Sequence, residues 1–341
     1  MRILVLGGTS FVGRSIVTKA LDRDHDVTLF HRGRTGTDLF PGAERLRGDR
    51  DENDLSALEG RSFDAVVDVS GTVPRHVRHA AEVLDERVGR YLFLSSNTVY
   101  ASGAGPGADE SAPLVAPEWD SEVVGARTRG PLKVACEREL TSRFGERATI
   151  VRPGVLAGPH DNLDQFTYWV RRAAKGGRVV LPGDPGQPLQ VLDARDLAHL
   201  VVRLLEEDRS GVFNAMGPAA PLTLAGMIHT CAAAAGTGVE LILVPSGTVK
   251  ARFPLVRPDR IREQFFQRDT TRAREAGLPS TPLSTTAADV LAWDRGRGEP
   301  PLRSAPAPEL ERNLLDYVLR SRPSLAARTP PGPTVTDRHA L

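Results

Sequence analysis

The chain has 341 residues, enough for one large domain and a smaller second lobe, since domains commonly span about 100 to 200 residues. Its 44 Lys and Arg residues nearly balance 43 Asp and Glu residues, and the net charge of +1 gives no global attraction for nucleic acid or an anionic membrane. A membrane span needs about 18 apolar residues in a row, and no run of that length occurs. The first residues do not have the pattern of a secretory leader. We expect a soluble, cytoplasmic protein.

The first 158 residues alternate short apolar, β-branched runs with helical patterns. Strands are predicted at residues 2–6, 26–30, 44–48, 65–69, 90–95 and 148–152. Such alternation is typical of βαβ crossovers, in which parallel strands are joined by helices. The sequence therefore predicts an α/β fold built on a doubly wound parallel Rossmann sheet.

The pattern loosens after residue 158. Predicted elements there are a helix at 165–174, a strand and helix within 189–205, a strand at 211–215, a helix at 224–235, a strand at 240–244 and a helix at 309–319. We expect residues 1–158, with 189–205 returning to them, to form the Rossmann domain. Residues 159–188 and 206–320 would form a smaller substrate lobe, and residues 321–341, rich in Pro, Thr and Arg, a mobile tail.

The two cysteines, Cys136 and Cys231, fall within predicted helices. Buried cysteines of this kind most often act as small apolar side chains in a reducing compartment. We therefore assign neither one a catalytic role, and we expect no metal site.

A glycine-rich turn follows the first predicted strand, and apolar residues recur at helical spacing directly after it. A strand, a tight turn and a helix present free N–H groups and the positive end of a helix dipole to a pyrophosphate. Gly7 permits the turn, Gly13 allows close packing of the helix, and Ser10 stands where a third glycine is common. The predicted dinucleotide cradle consists of Gly7, Gly8, Thr9, Ser10, Phe11, Val12 and Gly13.

The end of the second strand carries no carboxylate to bind the adenosine ribose. It reads Phe30-His31-Arg32-Gly33-Arg34. A guanidinium can clamp a 2′-phosphate, so the sequence favours NADP over NAD, with Arg32 the first candidate, Arg34 the second and His31 beside them. The alternative is that these are solvated surface arginines. Asp49, after the third strand, is either an acceptor for the adenine amino group or a simple turn residue.

Further motifs follow in order along the chain. They are Asp68-Val69-Ser70-Gly71, Leu94-Ser95-Ser96-Asn97-Thr98-Val99-Tyr100, Gly130-Pro131-Leu132-Lys133, Val151-Arg152-Pro153-Gly154 and Gln190 with Asp193 and Asp196. Together with the glycine turn, they make residues 1–235 resemble the extended short-chain dehydrogenase/reductases, in particular the NAD-dependent epimerase/dehydratase group. The resemblance implies that Ser70 and Gly71 border the nicotinamide ribose, that Ser95 contacts the cofactor, and that Pro153 packs near the carboxamide.

The same resemblance implies a catalytic set of a serine, a tyrosine and a lysine four residues after the tyrosine. The serine is Ser96 and the lysine, which would also hold the cofactor ribose, is Lys133, but the tyrosine position is Arg129. An arginine stays charged at any relevant pH and cannot exchange a proton usefully. Another group would then supply the proton, or Arg129 would bind a substrate carboxylate or an oxyanion, or the chemistry has been lost. Candidate proton donors are Tyr100, His160, Asp161 and Tyr168.

The expected function is that of an NAD(P)-binding reductase, epimerase or dehydratase with non-standard acid/base chemistry. Its substrate would be a small oxygenated metabolite, such as a sugar, a nucleotide sugar or a natural-product intermediate. Alternatives are a redox-silent NADP-binding sensor or scaffold, and a non-redox lyase or isomerase. Some relatives with the same glycine signature bind plastid RNA, but the charge balance and the 5% of aromatic residues disfavour nucleic acid here. Relatives often form homodimers through helices that correspond to residues 76–88 and 131–143.

Overall fold

The computed structural model describes residues 1–244, 253–257 and 267–321. Residues 322–341, which include nearly all of the predicted mobile tail, lie outside the described residues. The strands, in chain order, are β1 (Arg2–Leu6), β2 (Asp26–His31), β3 (Glu44–Arg47), β4 (Phe63–Asp68), β5 (Val88–Leu94), β6 (Ala148–Pro153), β7 (Val155–Ala157), β8 (Gly177–Pro182), β9 (Pro188–Leu189), β10 (Val191–Asp193), β11 (Gly211–Ala215), β12 (Leu222–Thr223) and β13 (Val239–Val244). The helices are α1 (Phe11–Leu21), α2 (Pro74–Leu84), α3 (Arg129–Phe144), α4 (Gln165–Ala174), α5 (Ala194–Glu206), α6 (Leu224–Ala234), α7 (Thr271–Glu275), α8 (Leu283–Gly296) and α9 (Pro308–Ser321).

Seven parallel strands form the central sheet, in the order β11-β6-β5-β4-β1-β2-β3. The strand order reverses between β1 and β4, where Leu4 pairs with Val66 on one side and with Thr28 of β2 on the other. A crevice opens beyond the carboxyl ends of the strands at such a switch point. The predicted doubly wound parallel fold is confirmed, and each of the six predicted strands ends within two residues of the observed one.

Helices cover both faces of the sheet, which explains why its strands are almost continuously apolar. Helices α1 and α5 pack together on one face, and their buried residues share a core with β1, β2 and β11. Helices α2 and α3 pack on the other face. Both cysteines are buried and free, Cys136 in α3 and Cys231 in α6, as expected of apolar fillers.

Strand β11 belongs to the central sheet. Its residues were predicted to lie in the substrate lobe, but β11 runs parallel to β6, with Phe213 opposite Val151. Helix α7 packs on it, and Ala273 joins the same core as α1 and α5. A five-residue strand with three apolar side chains does not indicate which sheet it will join, so the sequence alone could not place it.

The smaller lobe has a core of its own, formed by α4, α6, α8 and the parallel pair β8 and β13. Trp169 of α4 lies fully buried at its centre and donates to the Pro254 carbonyl at 2.7 Å. Helix α8 was not predicted, because its Ser, Thr, Ala and Asp residues give a weak apolar pattern. Among the described helices, none is long and apolar enough to cross a membrane.

Candidate active site

The glycine turn joins β1 to α1 at the crevice. Gly7 and Gly8 have φ angles of +109° and +93°, which side-chain-bearing residues rarely adopt. A Cβ on Gly7 would lie 2.8 Å from Val69 Cγ2, and one on Gly13 would lie 2.8 Å from Gly8 Cα. Ser10, the N-cap of α1, makes no side-chain hydrogen bond to the helix, so its side chain leaves the first N–H groups uncapped. The close backbone approach and the uncapped amides fit a bound diphosphate.

A cavity of about 440 Å³ opens beside this turn, between the two lobes. Its walls include Thr9, Ser10, Phe11, His160, Asp161 and Trp293. The His160 ring lies edge-on to the Trp293 ring at 5.5 Å, and burial together with Arg14 and Arg297 lowers the His160 pKa. Burial raises the pKa of Asp161. The turn is therefore open to a ligand on the side that faces the smaller lobe.

The predicted 2′-phosphate arginines lie at the end of β2 and are paired with carboxylates. Arg32 donates to Asp51 at 2.8 Å and Arg34 to Asp49 at 3.5 Å. Their side chains are 45% and 70% exposed, so these ion pairs are weak and open to exchange. His31 instead turns inward: its Nδ1 accepts from the Gly33 amide at 2.9 Å.

Two further arginines come from β3 and were missed in the sequence. Arg45 and Arg47 alternate along the strand and lie close enough to His31 to lower its pKa, in addition to the larger effect of burial. Arg45 donates to the carbonyls of Gly36 and Leu39, and the exposed Arg47 guanidinium lies against Gly33. Their spacing of two residues on a predicted strand was the available signal, because it places both on one face.

A buried ion pair lies under the crevice. Arg50 donates to both carboxylate oxygens of Asp68, at 2.7 and 2.8 Å, and Tyr91 donates to the same carboxylate at 2.8 Å. Burial alone would raise the Asp68 pKa, but Arg50 and Tyr91 lower it to about 2. The carboxylate also accepts from the amides of Ser70 and Gly71, at 3.0 and 2.8 Å. Sequence reasoning singled out Ser70 and Gly71 but missed Arg50.

Lys133 lies in the buried first turns of α3. Its Nζ donates to the carbonyls of Gly71 and Leu94, each at 2.7 Å, which places it at the carboxyl ends of β4 and β5. Burial lowers the pKa of Lys133 from 10.5 to about 8, and the nearby charge of Arg129 acts in the same direction. Burial thus makes the neutral form of this amine easier to reach than it is for an exposed lysine.

Ser96 and Arg129 lie in adjacent segments near Lys133. Ser96 caps the short helical turn after β5, where its Oγ accepts from the Thr98 hydroxyl at 3.0 Å. Gly130 brings the start of α3 against the Thr98 carbonyl, where a Cβ would not fit. Arg129, the first residue of α3, is exposed. The turn that Ser96 caps therefore packs against α3, the helix that carries both Arg129 and Lys133.

The other predicted residues lie elsewhere. Ser95 faces inward and donates to Glu137, and Pro153 is the buried last residue of β6. Tyr100 is fully buried, with its hydroxyl donating to Asn214 at 2.6 Å and accepting from Arg152 at 2.9 Å. Tyr168 packs edge-on against Trp169 in the core of the smaller lobe.

Comparison with known proteins identifies the family of this chain. The model of the NAD dependent epimerase/dehydratase family matches residues 3–216. The chain belongs to the NAD-dependent epimerase/dehydratase family. The resemblance inferred from the sequence motifs is thereby confirmed, and members of this family depend on NAD(P).

Individual family relatives differ in what their names describe. The chain is 28% identical over 317 residues to the chloroplast stem-loop binding protein of 41 kDa b from Arabidopsis thaliana, covering 87% of this chain and 80% of that protein. It is 26% identical over 297 residues to a dTDP-4-dehydro-6-deoxy-D-allose reductase from a Streptomyces species, covering 76% and 89%. The UDP-glucuronic acid 4-epimerase from Bacillus cereus, solved with NAD, shares the fold at a TM-score of 0.65 and 14% identity, covering 87% and 99%.

Proposed function

We propose that this family member is an NADP-binding enzyme that reduces, epimerises or dehydrates a small oxygenated metabolite, such as a sugar, a nucleotide sugar or a natural-product intermediate. The observation that carries the proposal is the cradle, in which two left-handed glycines and an uncapped helix N-terminus fit a diphosphate. The Streptomyces relative is named as a reductase of a nucleotide sugar. When bound, the dinucleotide supplies a hydride donor or acceptor.

The arginines at the end of β2 and on β3 favour NADP over NAD. A 2′-phosphate would have to displace Asp51 from Arg32 and Asp49 from Arg34. Exposed pairs of this kind are worth only about 0 to 1 kcal/mol, so a 2′-phosphate, which carries more charge than a carboxylate and offers three acceptor oxygens, can compete for both guanidiniums. The exchange would free Asp49 to accept from the adenine amino group.

In the catalytic set we assign the proton to Lys133 and substrate binding to Arg129. Lys133 has a pKa of about 8, and two backbone carbonyls accept from only two of its three N–H groups, so the third can supply the proton. Arg129 is exposed beside it and is suited to a substrate carboxylate or a developing oxyanion. Tyr100 and Tyr168 take no part in this proposal, since Tyr100 already has two hydroxyl partners and Tyr168 belongs to the core of the smaller lobe.

The proposal is tested in the wild type, Arg129→Gln and Arg129→Tyr by NADPH oxidation with a panel of aldehydes, ketones and nucleotide sugars, and by product analysis, because epimerisation and dehydration consume no NADPH. We expect Arg129→Gln to abolish turnover while it leaves NADPH affinity within about threefold, because Arg129 lies outside the cradle. Reductase activity that appears only in Arg129→Tyr would contradict the proposal. It would mean that the arginine marks lost chemistry, which is the sensor or scaffold alternative.

A second candidate function is binding of structured RNA, which the name of the Arabidopsis relative suggests. The near-zero net charge weakens this candidate, because RNA affinity depends on neutralising phosphates. Fluorescence anisotropy with a stem-loop RNA in about 0.15 M salt separates the two functions. Micromolar binding that NADPH does not compete away would favour the RNA function.

Cytoplasmic location and a homodimer also remain proposals. The helices that correspond to the dimer contact in relatives are α2 and α3, which pack on each other and are linked by Arg78 and Glu139 at 2.9 Å. Analytical ultracentrifugation of the full chain measures the oligomeric state directly.

A further inference from the structure

The buried Arg50–Asp68 pair is unusual in how many segments of the crevice it joins. Arg50 lies just after β3 and is 8% exposed, and Asp68 ends β4 and is fully buried. Besides Asp68, the guanidinium donates to the Ser70 hydroxyl at 3.0 Å and the His76 carbonyl at 2.6 Å. A buried pair with this many partners fixes the surrounding backbone closely.

The pair reaches the glycine turn through Ser70. The Ser70 hydroxyl accepts from Arg50 and donates to the Leu6 carbonyl at 2.9 Å, so it holds the last residue of β1. Gly7 follows directly, and a Cβ there would contact Val69 Cγ2 and lie 3.4 Å from Ser70 Cβ. Displacement of the Asp68–Gly71 segment therefore displaces one wall of the cradle.

The pair reaches Lys133 through Gly71. Asp68 holds the Gly71 amide at 2.8 Å, and the Gly71 carbonyl holds Lys133 Nζ at 2.7 Å. A Cβ on Gly71 would lie 2.9 Å from Asp68 Oδ2, so the chain passes over the carboxylate in contact with it. The same guanidinium thus supports both the turn and the lysine.

We infer that Arg50 is a positioning residue for the nicotinamide half of the cofactor site, acting through Asp68 on the Ser70–Gly71 segment and on Lys133. The inference rests on the proposed function, since it needs a dinucleotide in the cradle. Lysine at this position would keep the positive charge. It would lack the planar guanidinium that donates to both Asp68 oxygens, the Ser70 hydroxyl and the His76 carbonyl at once. The segment would then shift while the buried carboxylate stays paired.

The test compares NADPH with adenosine 2′-monophosphate, which contains the adenosine and its 2′-phosphate but no phosphate for the cradle. Arg50→Lys and Arg50→Met are measured by calorimetry, with circular dichroism and thermal unfolding to establish that each variant folds. The matched control is Arg171→Met, which breaks another bidentate pair, with Asp294 at 2.6 and 2.7 Å, inside the smaller lobe. Arg50→Lys is the decisive variant if Arg50→Met, which leaves Asp68 unpaired, does not fold.

We expect Arg50→Lys to weaken NADPH binding at least tenfold and 2′-monophosphate binding less than threefold, with the Arg171→Met affinities within twofold of the wild type. A folded Arg50→Lys that binds NADPH like the wild type overturns the inference alone. Equal weakening of both ligands also overturns it, because that is general loosening of the domain. A wild type that binds no NADPH overturns the proposed function, and the inference with it.

Discussion

Replacement of Gly13 by alanine tests whether close packing of α1 shapes the cradle. The new Cβ would lie 2.8 Å from Gly8 Cα and 2.9 Å from Gly8 N, whereas ordinary contacts begin at 3.4 Å. The helix or the turn must therefore move by about 0.6 Å, beyond the roughly 0.5 Å within which a binding site must hold its groups. Loss of one charge-assisted hydrogen bond to the diphosphate costs about 1.5–3 kcal/mol, which corresponds to roughly 10- to 100-fold in affinity.

The assay is calorimetric titration of Gly13→Ala with NADPH, alongside urea unfolding. Overpacking costs about 1–3 kcal/mol, partly offset by about 1 kcal/mol of helix propensity, so the variant should remain folded. Gly296→Ala is the control, because Gly296 is also helical and its Cβ would meet no atom within 4 Å. Its NADPH affinity should equal that of the wild type. NADPH binding by Gly13→Ala within twofold of the wild type would refute the reasoning.

Three other outcomes follow from the site. The double variant Arg32→Gln, Arg34→Gln should bind NADPH about 10-fold or more weakly and bind NADH with unchanged affinity, as measured by competition titrations. Equal losses of affinity for both nucleotides would contradict the 2′-phosphate assignment. The buried Lys133 has a pKa of about 8 and is protonated below that pH, so reductive turnover should fall as the pH rises through about 8. A steady-state pH profile measures this, and a flat profile would exclude this lysine as the donor. Tyr100→Phe removes one hydrogen-bond partner from each of the buried Asn214 and Arg152 side chains, so urea unfolding should show a loss of about 1–3 kcal/mol of stability without a change in turnover. Lost turnover would restore Tyr100 as a proton donor.

Much of the Rossmann part of the fold could be predicted because its information is local. Apolar, β-branched runs predict the buried strands, and the glycine turn marks both the end of β1 and the start of α1. Contacts between distant segments could not be predicted in the same way. Arg50 and Asp68 are 18 residues apart in the sequence, and a lone arginine after Asp49 looks like a surface residue. Only the parallel sheet, which places the carboxyl ends of β3 and β4 on the same side, shows that the two can meet.

In the candidate site, too, residues within local motifs could be predicted and contacts between distant residues could not. The residues of the turn, Ser96 and Lys133 were identified because motifs carry them. Tyr100 was a candidate because it closely follows Ser96 in the sequence. Its side chain instead points into the core, where its hydroxyl is hydrogen-bonded to Asn214 and Arg152. Nearness in sequence does not fix the direction of a side chain after a strand ends, and only packing decides it.

The central claim is that the turn between β1 and α1 holds the diphosphate of a nicotinamide dinucleotide. Calorimetric titration of the wild-type chain with NADPH tests it most directly. We predict saturable one-to-one binding of NADPH that is at least tenfold tighter than the binding of NADH. The absence of any heat at about millimolar NADPH, from a chain shown to be folded, would contradict it.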